Sequence, residues 1–232
     1  VFATLTFIFA GNSTALAADG DLDNTMTGWA WENGIRIHPT SQKTDGAYDV
    51  MVDAAGTWTI GGFWSNANDS HTAHSWYLKQ YGVTGGAPNV FSGDPKDRLF
   101  WSPKGDHIRE TLPMADGRYA MIGYAGTKTT GASDFDCVIA VRQADGDLDN
   151  TGFNSSGTKA ATVTMQTNAA KGRMWVAFST SKDDKCISGD IASDGKILVC
   201  GHVKTNSEGE NVGIARVTTT GALDDTFSGD GR

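Results

Sequence analysis

A hairpin pattern that recurs three times in one register constrains this chain more than any other feature of its sequence. Each copy has an apolar run, a turn containing glycine, and a second apolar run that ends near another glycine. The copies are YDVMVDAAGTWTIGGF (48–63), IRETLPMADGRYAMIGY (108–124) and CISGDIASDGKILVCGHV (186–203). Asp-Gly between apolar strands predicts a two-residue type I′ turn, because both central residues of that turn need positive φ. The turn glycines are Gly56, Gly117 and Gly195.

A second element follows each hairpin at a nearly constant distance. It has a strand, a turn and a tail of the Leu-Asp or aromatic-Ser-Gly-Asp kind, in residues 76–94, 138–153 and 213–231. Its turn glycines lie 29, 29 and 26 residues after the hairpin glycines, at Gly85, Gly146 and Gly221. A leading half-copy, ADGDLDNTM (18–26), carries Gly20. Three matches in the same order with matched spacing indicate a tandem repeat.

The repeat predicts an all-β fold. Apolar residues alternate along the hairpin strands, as at Val50 and Val52, and no segment sustains a 3.6-residue period. About four short strands per module favour β-propeller-like tandem repeats, although a β-solenoid or a sandwich of repeats has similar content. We place the modules at about 18–86, 87–147 and 148–232. Three modules and a half-copy are fewer than the four to eight blades of a closed propeller. We therefore expect an incomplete ring, completed by further blades or other chains.

The third copy carries a recognisable set of motifs: an Asp-Gly-Lys hairpin, an Ala-Arg strand and a Gly-x-Leu-Asp-x-x-Phe ending. These residues are Asp194, Gly195, Lys196, Gly201, Ala215, Arg216, Gly221, Leu223, Asp224 and Phe227. In them the chain resembles the delta-60 repeat, which occurs in tandem in large secreted bacterial proteins. The second copy has Val141 in place of the arginine, and the first has Ala55 in place of the aspartate. The resemblance implies a propeller-like architecture and no activity, because the family has no general one.

The N-terminal segment predicts export. VFATLTFIFA is apolar, and Ala15-Leu16-Ala17 has the small-x-small form of a signal-peptidase site. We interpret residues 1–17 as a signal peptide without its n-region, with a first β-strand as the alternative. An apolar run of this length is too short to span a membrane. The expected location is secreted or at the bacterial cell surface.

The net charge and the cysteines indicate which partners and which disulfides can be expected. The net charge of −8 and the lack of a basic stripe argue against a nucleic-acid partner. In the third hairpin, a two-residue turn would place Cys200 opposite Gly189. Cys186 would then lie opposite Val203, so the two sulfurs would point to opposite faces of the sheet. Cys137 would have to reach either one from another module. We expect three small buried apolar residues instead, because unpaired cysteine is commonly buried.

Two groups of residues consist of side chains that commonly bind metal ions. Asp145, Asp147 and Asp149 have the one-three-five spacing of calcium loops, and Asp19, Asp21 and Asp23 repeat it. The helix-loop-helix calcium motif fails here, because Asn150 and Ser156 replace its Gly and Glu. Turn-forming aspartates are the favoured interpretation. His71 and His74 have only Asp69 nearby as a further zinc ligand, so a solvated loop is favoured there. His38, His107 and His202 are scattered. We assign no catalytic, cofactor-binding or metal residue, and no cofactor.

Seven tryptophans are an unusual surplus for this chain. Exposed rings could stack on sugars, but packing between twisted sheets is the favoured role. They include Trp29, Trp31, Trp64, Trp76, Trp101 and Trp175. The extra segment Asn154–Lys185 is where specific contacts are expected, because insertions between repeated strands form loops on one face.

Three functions remain compatible with the sequence. The leading hypothesis is a non-catalytic binding, adhesion or scaffolding segment of a larger secreted protein, with carbohydrate, a cell-surface protein or flanking blades as partners. The second is a propeller hydrolase or lyase acting on polysaccharide, which carboxylates from several blades in one pocket would favour. The third is a calcium-stabilised adhesin, which should lose thermal stability in a chelator.

Overall fold

The computed structural model describes residues 31–32, 35–36, 46–53, 56–65, 74–81, 98–99, 105–126, 135–156, 171–179, 182–205 and 209–232. Within these residues the chain is all-β, with thirteen strands in small antiparallel sheets and no helix, and no closed ring is formed. The predicted fold class is confirmed. The predicted signal peptide (1–17) lies outside the described residues. In the described part of the chain, no helix has the length and apolar character needed to cross a membrane.

Three sheets follow one another along the chain, and each is an antiparallel meander. The first sheet contains β3 (Gly46–Val52), β4 (Trp58–Ser65), β5 (His74–Tyr81) and β6 (Arg98–Leu99). The second sheet contains β7 (Asp106–Pro113), β8 (Tyr119–Gly126), β9 (Phe135–Arg142) and β10 (Arg173–Val176). The third sheet contains β11 (Asp184–Ile191), β12 (Ile197–Thr205) and β13 (Gly209–Val217). A separate ribbon pairs β1 (Trp31–Glu32) with β2 (Ile35–Arg36).

The hairpin turns are one residue longer than predicted. The N–H of Ala192 bonds the carbonyl of Lys196 at 2.9 Å, and the N–H of Gly195 bonds the carbonyl of Ala192 at 2.8 Å. Gly195 has φ of 81°, while Asp194 is not in the positive-φ region. This is a type I turn followed by a left-handed glycine, so the two-residue type I′ prediction was wrong. The turns at Gly56 and Gly117 close through the same two hydrogen bonds.

A β-bulge sits at the equivalent place in the first strand of all three sheets. The register shifts at Tyr48, Arg109 and Ile187. A glycine of the second strand lies against each bulge: Gly62, Gly123 and Gly201. A Cβ on Gly123 would overlap the carbonyl oxygen of His107, and the other two glycines face the equivalent carbonyl. The glycines that end the repeated hairpins are therefore required by the bulges.

The core lies between stacked sheets. One buried cluster joins the first and second sheets through residues such as Met51, Leu78 and Ile108. A second joins the second and third sheets through residues such as Ile122 and Ile197. The second sheet is covered on both faces, and for this reason every residue of β8 is buried. The stack of neighbouring meanders in chain order is the arrangement of blades in a propeller.

A disulfide joins the second and third sheets, so the expectation of three unpaired cysteines was wrong. Cys137 of β9 and Cys186 of β11 are bonded with their Cα atoms 4.8 Å apart, and Cys200 is free and half-buried. The predicted cysteine register was also wrong. The longer turn and the bulge place Cys200 opposite Ser188 and Cys186 opposite Gly201. Cys186 therefore faces the second sheet, where Cys137 meets it.

Candidate functional site

A cleft of about 770 Å³ opens where the hairpin turns of the three sheets converge. Its walls are largely apolar, with polar groups from Asp53, Arg118 and Ser193. The lining residues are Val52, Asp53, Pro113, Met114, Ala115, Gly117, Arg118, Tyr119, Ala144, Ile191, Ala192, Ser193 and Gly195. The repeated hairpins thus build one concave surface from three modules, which is the form that ligand sites commonly take.

The carboxylates of these turns bond to their own backbone. The carboxylate of Asp53 accepts the N–H of Thr57 at 2.8 Å. Asp116 accepts the N–H of Arg118 at 3.1 Å, and Asp194 accepts the N–H two residues on at 3.2 Å. These are the turn contacts that favour aspartate in such loops. Each carboxylate is therefore held by its own hairpin.

Ion pairs connect the Asp-Gly turn to the Leu-Asp turn in the second and third copies of the repeat. Arg118 lies 2.8 Å from Asp116 of its own turn and 2.6 Å from Asp149 of the Leu-Asp turn. In the third module, Lys196 lies 3.1 Å from both Asp194 and Asp224. The cation after the hairpin glycine thus bridges the Asp-Gly and Leu-Asp motifs. The contact ties both motifs together in these two copies, whereas Thr57 takes the place of the cation in the first copy.

The third module adds a second cation to this arrangement. Arg216 Nε donates to Asp224 Oδ2 at 2.6 Å. Val141 occupies the equivalent position of the second module, where the amide of Gln143 approaches Asp149 at 3.4 Å instead. The equivalent buried carboxylates of the two copies, Asp149 and Asp224, therefore accept hydrogen bonds from different partners.

These contacts keep the repeat carboxylates ionised. Burial is the largest single effect and favours the neutral form of Asp149, but the hydrogen bonds from Arg118, the Gly152 N–H and Gln143 together outweigh it and lower the pKa of that carboxyl. The Thr226 hydroxyl and then the cations Lys196 and Arg216 hold the pKa of Asp224 well below its usual range. General acids at neutral pH need a raised pKa, so these two carboxylates are poorly suited to that role.

The predicted acidic run behaves as turn-forming residues where it is described. Asp145 accepts the N–H of Asp147 at 3.0 Å, and Asp149 accepts the N–H of Gly152 at 2.8 Å. Asp19, Asp21 and Asp23 lie outside the described residues. Among the residues that are described, no group of three or more His, Cys, Asp or Glu has a geometry that could hold a metal ion.

The two histidines whose side chains the structure describes, His107 and His202, do not lie together. His38 and His71, with Asp69, lie outside the described residues, and His74 is described only as the first residue of β5. His202 lies 3.6 Å from Glu210 on the exposed side of the third sheet. His107 stacks among aromatic rings away from the cleft. The described residues that line the cleft include Ser193 but no histidine.

The tryptophans that the structure describes as buried serve packing. Trp76 and Trp175 are 1% and 7% exposed and lie in the cluster between the first and second sheets. The packing interpretation is confirmed for these two residues. Trp29 and Trp101 lie outside the described residues, and only the backbone is described for Trp31 and Trp64. The central part of the predicted specific segment, residues 157–170, also lies outside them.

Sequence reasoning missed a stack of rings and cations that crosses all three sheets. Its members are Tyr48, Phe63, His107, Arg109, Tyr124, Phe135 and Lys185. The ring of His107 lies 4.8 Å from Phe63 and 5.1 Å from Tyr124, and Tyr124 meets Phe135 edge-on at 5.4 Å. The available signal was the aromatic residue directly after the bulge glycine, as in Gly62-Phe63 and Gly123-Tyr124.

Two cations hold this ring–cation stack together. The guanidinium of Arg109 lies 4.0 Å from the centre of Tyr48 and donates to the Tyr124 hydroxyl at 3.0 Å. Lys185 of the third sheet lies 4.6 Å from the centre of Phe135. Burial raises the pKa of Tyr124, although Arg109 opposes the rise. The phenol is therefore a neutral acceptor for Arg109 at physiological pH.

The described residues form an all-β fold of small antiparallel sheets that stack in chain order, an arrangement similar to the blades of a β-propeller. The family model described as a domain of unknown function (DUF5122) beta-propeller matches residues 192–227. The match covers the third hairpin from its turn, β12, β13 and the Leu-Asp turn. No curated protein and no solved structure matches the chain.

Proposed function

We propose that this chain is a non-catalytic binding and scaffolding segment of a larger protein exported by a bacterium, built from delta-60-like propeller repeats. Its stacked sheets space the hairpin turns, and the cleft between those turns receives the ligand. Apolar walls with a polar rim suit carbohydrate, whose rings present C–H faces and hydroxyl edges. Flanking blades of the same protein are its other partners.

The observation that carries this proposal is the state of the carboxylates around the cleft. Asp53, Asp116 and Asp194 each bond to their own turn, and Asp149 is paired with Arg118. A glycoside hydrolase needs two carboxyl groups that face one another across the substrate. These carboxylates already accept turn hydrogen bonds or form ion pairs. Their arrangement therefore favours a protein that binds its ligand without cleaving it.

The disulfide between Cys137 and Cys186 supports export. Disulfides persist in oxidising compartments and are rare in reducing ones. The bond is buried between two sheets, since neither cysteine has exposed surface. This agrees with the signal peptide predicted for residues 1–17.

The test compares binding with cleavage. Soluble neutral and acidic oligosaccharides are titrated into the protein by calorimetry, and the same mixtures are assayed for new reducing ends. We expect saturable binding of at least one oligosaccharide without release of reducing ends. Release that depends on the protein would overturn the non-catalytic assignment.

A matched pair of variants locates the site. Ala115 is exposed and lines the cleft, whereas Ala222 is exposed on a turn that does not line it. Ala115→Arg should weaken binding at least tenfold by filling the cleft, and Ala222→Arg should leave it unchanged. Equal effects of both substitutions would remove the cleft from the proposal. A lower melting temperature in chelator would favour the calcium-stabilised adhesin instead.

A further inference from the structure

Arg118 carries the positive charge that the cleft presents to a ligand. Among the described residues that line the cleft, it is the only lysine or arginine. A guanidinium binds a carboxylate most specifically through two parallel N–H donors. A cation in a ligand site would therefore favour an acidic ligand, provided that its donors are available. The contacts of Arg118 thus decide which charge the cleft accepts.

All three nitrogens of this guanidinium already contact carboxylates of the chain itself. Nε of Arg118 donates to Asp116 Oδ2 at 2.8 Å, and Nη2 lies 2.8 Å from the same oxygen. Nη1 donates to Asp149 Oδ2 at 2.6 Å. Asp116 therefore occupies the Nε–Nη2 edge, and Asp149 occupies one donor of the other edge. This leaves a ligand carboxylate without an intact pair of donors to bind.

The hairpin turn holds Asp116 in this place. Its Oδ1 accepts the backbone N–H of Arg118 at 3.1 Å, and the N–H of Met114 donates to the carbonyl of Arg118 at 2.8 Å. The turn itself thus brings the two side chains together. The side chain of Asp116 is 53% exposed, whereas that of Arg118 is 19% exposed. The carboxylate is the more exposed member of the pair, and its charge would repel an anion that approaches Arg118.

The third module has the same pair of side chains, but its cation is not part of the cleft lining. Asp194 Oδ1 accepts the backbone N–H of Lys196 at 3.2 Å, and Lys196 Nζ lies 3.1 Å from Asp194 Oδ2. Ser193 and Gly195 line the cleft, whereas Lys196 is not among the described residues that do so. Asp194 is therefore a matched carboxylate at the same distance along its turn.

We propose that Asp116 sets the charge specificity of the cleft, and that the ligand is an uncharged saccharide. Asp116 covers the donor edge of Arg118 that an acidic saccharide would use. An acidic ligand must either displace this carboxylate or place its own charge beside it, and both reduce its affinity. A neutral saccharide needs no cation and can bind through the apolar walls of the cleft. This inference rests on the proposed carbohydrate-binding function and adds the class of saccharide and the residue that selects it.

The test compares two forms of one oligosaccharide that differ in charge: tetragalacturonic acid and its fully methyl-esterified form. Calorimetry at pH 7 should show that the wild-type protein binds the ester at least tenfold more tightly than the acid. Equal affinities, or tighter binding of the acid, would overturn the charge selection and leave saccharide binding intact. If neither form binds to the wild type or to the variants below, the charge selection is overturned. The proposed function fails only if the oligosaccharides of its own titration also do not bind.

A matched pair of variants tests the role of Asp116. Asp116→Ser removes the carboxylate, and the serine hydroxyl can still accept the N–H of Arg118. It should raise the affinity for the acid at least tenfold and leave that for the ester within twofold, which also shows that the variant is folded. Asp194→Ser removes the same charge from the equivalent turn and should change neither affinity more than twofold. No gain for the acid in Asp116→Ser, or equal gains in both variants, would overturn the proposal.

Discussion

The carboxylate of Asp49 accepts a hydrogen bond from the backbone N–H of Thr111, with Oδ2 and N 2.6 Å apart. This contact joins the first strands of two neighbouring sheets. Glu110 makes the equivalent contact with Gly189 one module later. Carboxylates thus accept backbone N–H groups across both junctions between sheets, in addition to the apolar packing; at the second junction Asp183 also accepts the N–H of Phe135.

Asp49→Asn should leave stability at pH 7 unchanged or increase it. Burial raises the pKa of the Asp49 carboxyl, although the N–H of Thr111 opposes the rise. A raised folded-state pKa means that the charged form destabilises the fold above that pKa, and that protonation relieves this cost as the pH falls. The asparagine carbonyl can still accept the N–H. Urea unfolding at pH 7 and at pH 3.5 measures the effect, and a loss at pH 7 that disappears at pH 3.5 would contradict the prediction.

Arg118→Met should cost about 1–3 kcal/mol of unfolding free energy at pH 7, because it leaves the carboxylate of Asp149 without its cation. The Asp149 side chain is only 4% exposed. Its pKa is lowered in the fold, so its contribution is complete above the unfolded-state pKa of about 4 and is lost as the pH falls through the folded-state value. The difference from wild type should therefore shrink below about pH 4. The control is Lys204→Met, at an exposed lysine of β12.

Cys137→Ser with Cys186→Ser should lower stability by about 2–4 kcal/mol, since the bond closes a long loop in the unfolded chain. The two cysteines are 49 positions apart. Cys200→Ser should have little effect, because that thiol is free. Thermal unfolding with and without reductant provides the measurement. If reductant lowers the melting temperature of the double serine variant as much as that of wild type, the assigned pairing is wrong.

Gly123→Ala should cost about 3 kcal/mol or more, because the new methyl group would overlap the His107 carbonyl at the bulge. Gly117→Ala should cost only about 1 kcal/mol, because the turn glycine has φ of 85° but open space around it. Denaturant unfolding of both variants tests the order. The reverse order would mean that the bulge relaxes easily.

Arg109→Met should cost about 1–2 kcal/mol by removing its contact with Tyr48 and its hydrogen bond to Tyr124. Tyr124→Phe removes the hydrogen bond alone and should cost about 1 kcal/mol. A double-mutant cycle of the two substitutions should give a coupling energy of at least about 0.5 kcal/mol. Additive losses would show that the two side chains do not interact in solution.

Local patterns in the sequence were sufficient to predict the repeat and the all-β fold. Gly56, Gly117 and Gly195 mark the turns, because left-handed backbone at a turn selects glycine wherever it occurs. The turn length was not predictable from these residues alone, since an Asp-Gly pair fits both a two-residue turn and a type I turn with a left-handed glycine.

The contacts between sheets were beyond sequence reasoning. A bulge at Ile187 shifts the register by one residue, and this changed the predicted partners of Cys186 and Cys200. The bond from Cys186 to Cys137 depends on how two sheets stack, which a single hairpin cannot specify. The cleft and the ring–cation stack were missed for the same reason, since each joins residues from several modules.

The disulfide has a mechanical consequence for a protein that is pulled from both ends. The 48 residues between Cys137 and Cys186 form a covalently closed loop. Force applied along the backbone would pass through the sulfur bridge and bypass β10 and most of β9. About 160 Å of the chain's contour length would then not contribute to its extension until the disulfide is reduced. The redox state of one bond would thereby set how far this part of the chain can stretch under load.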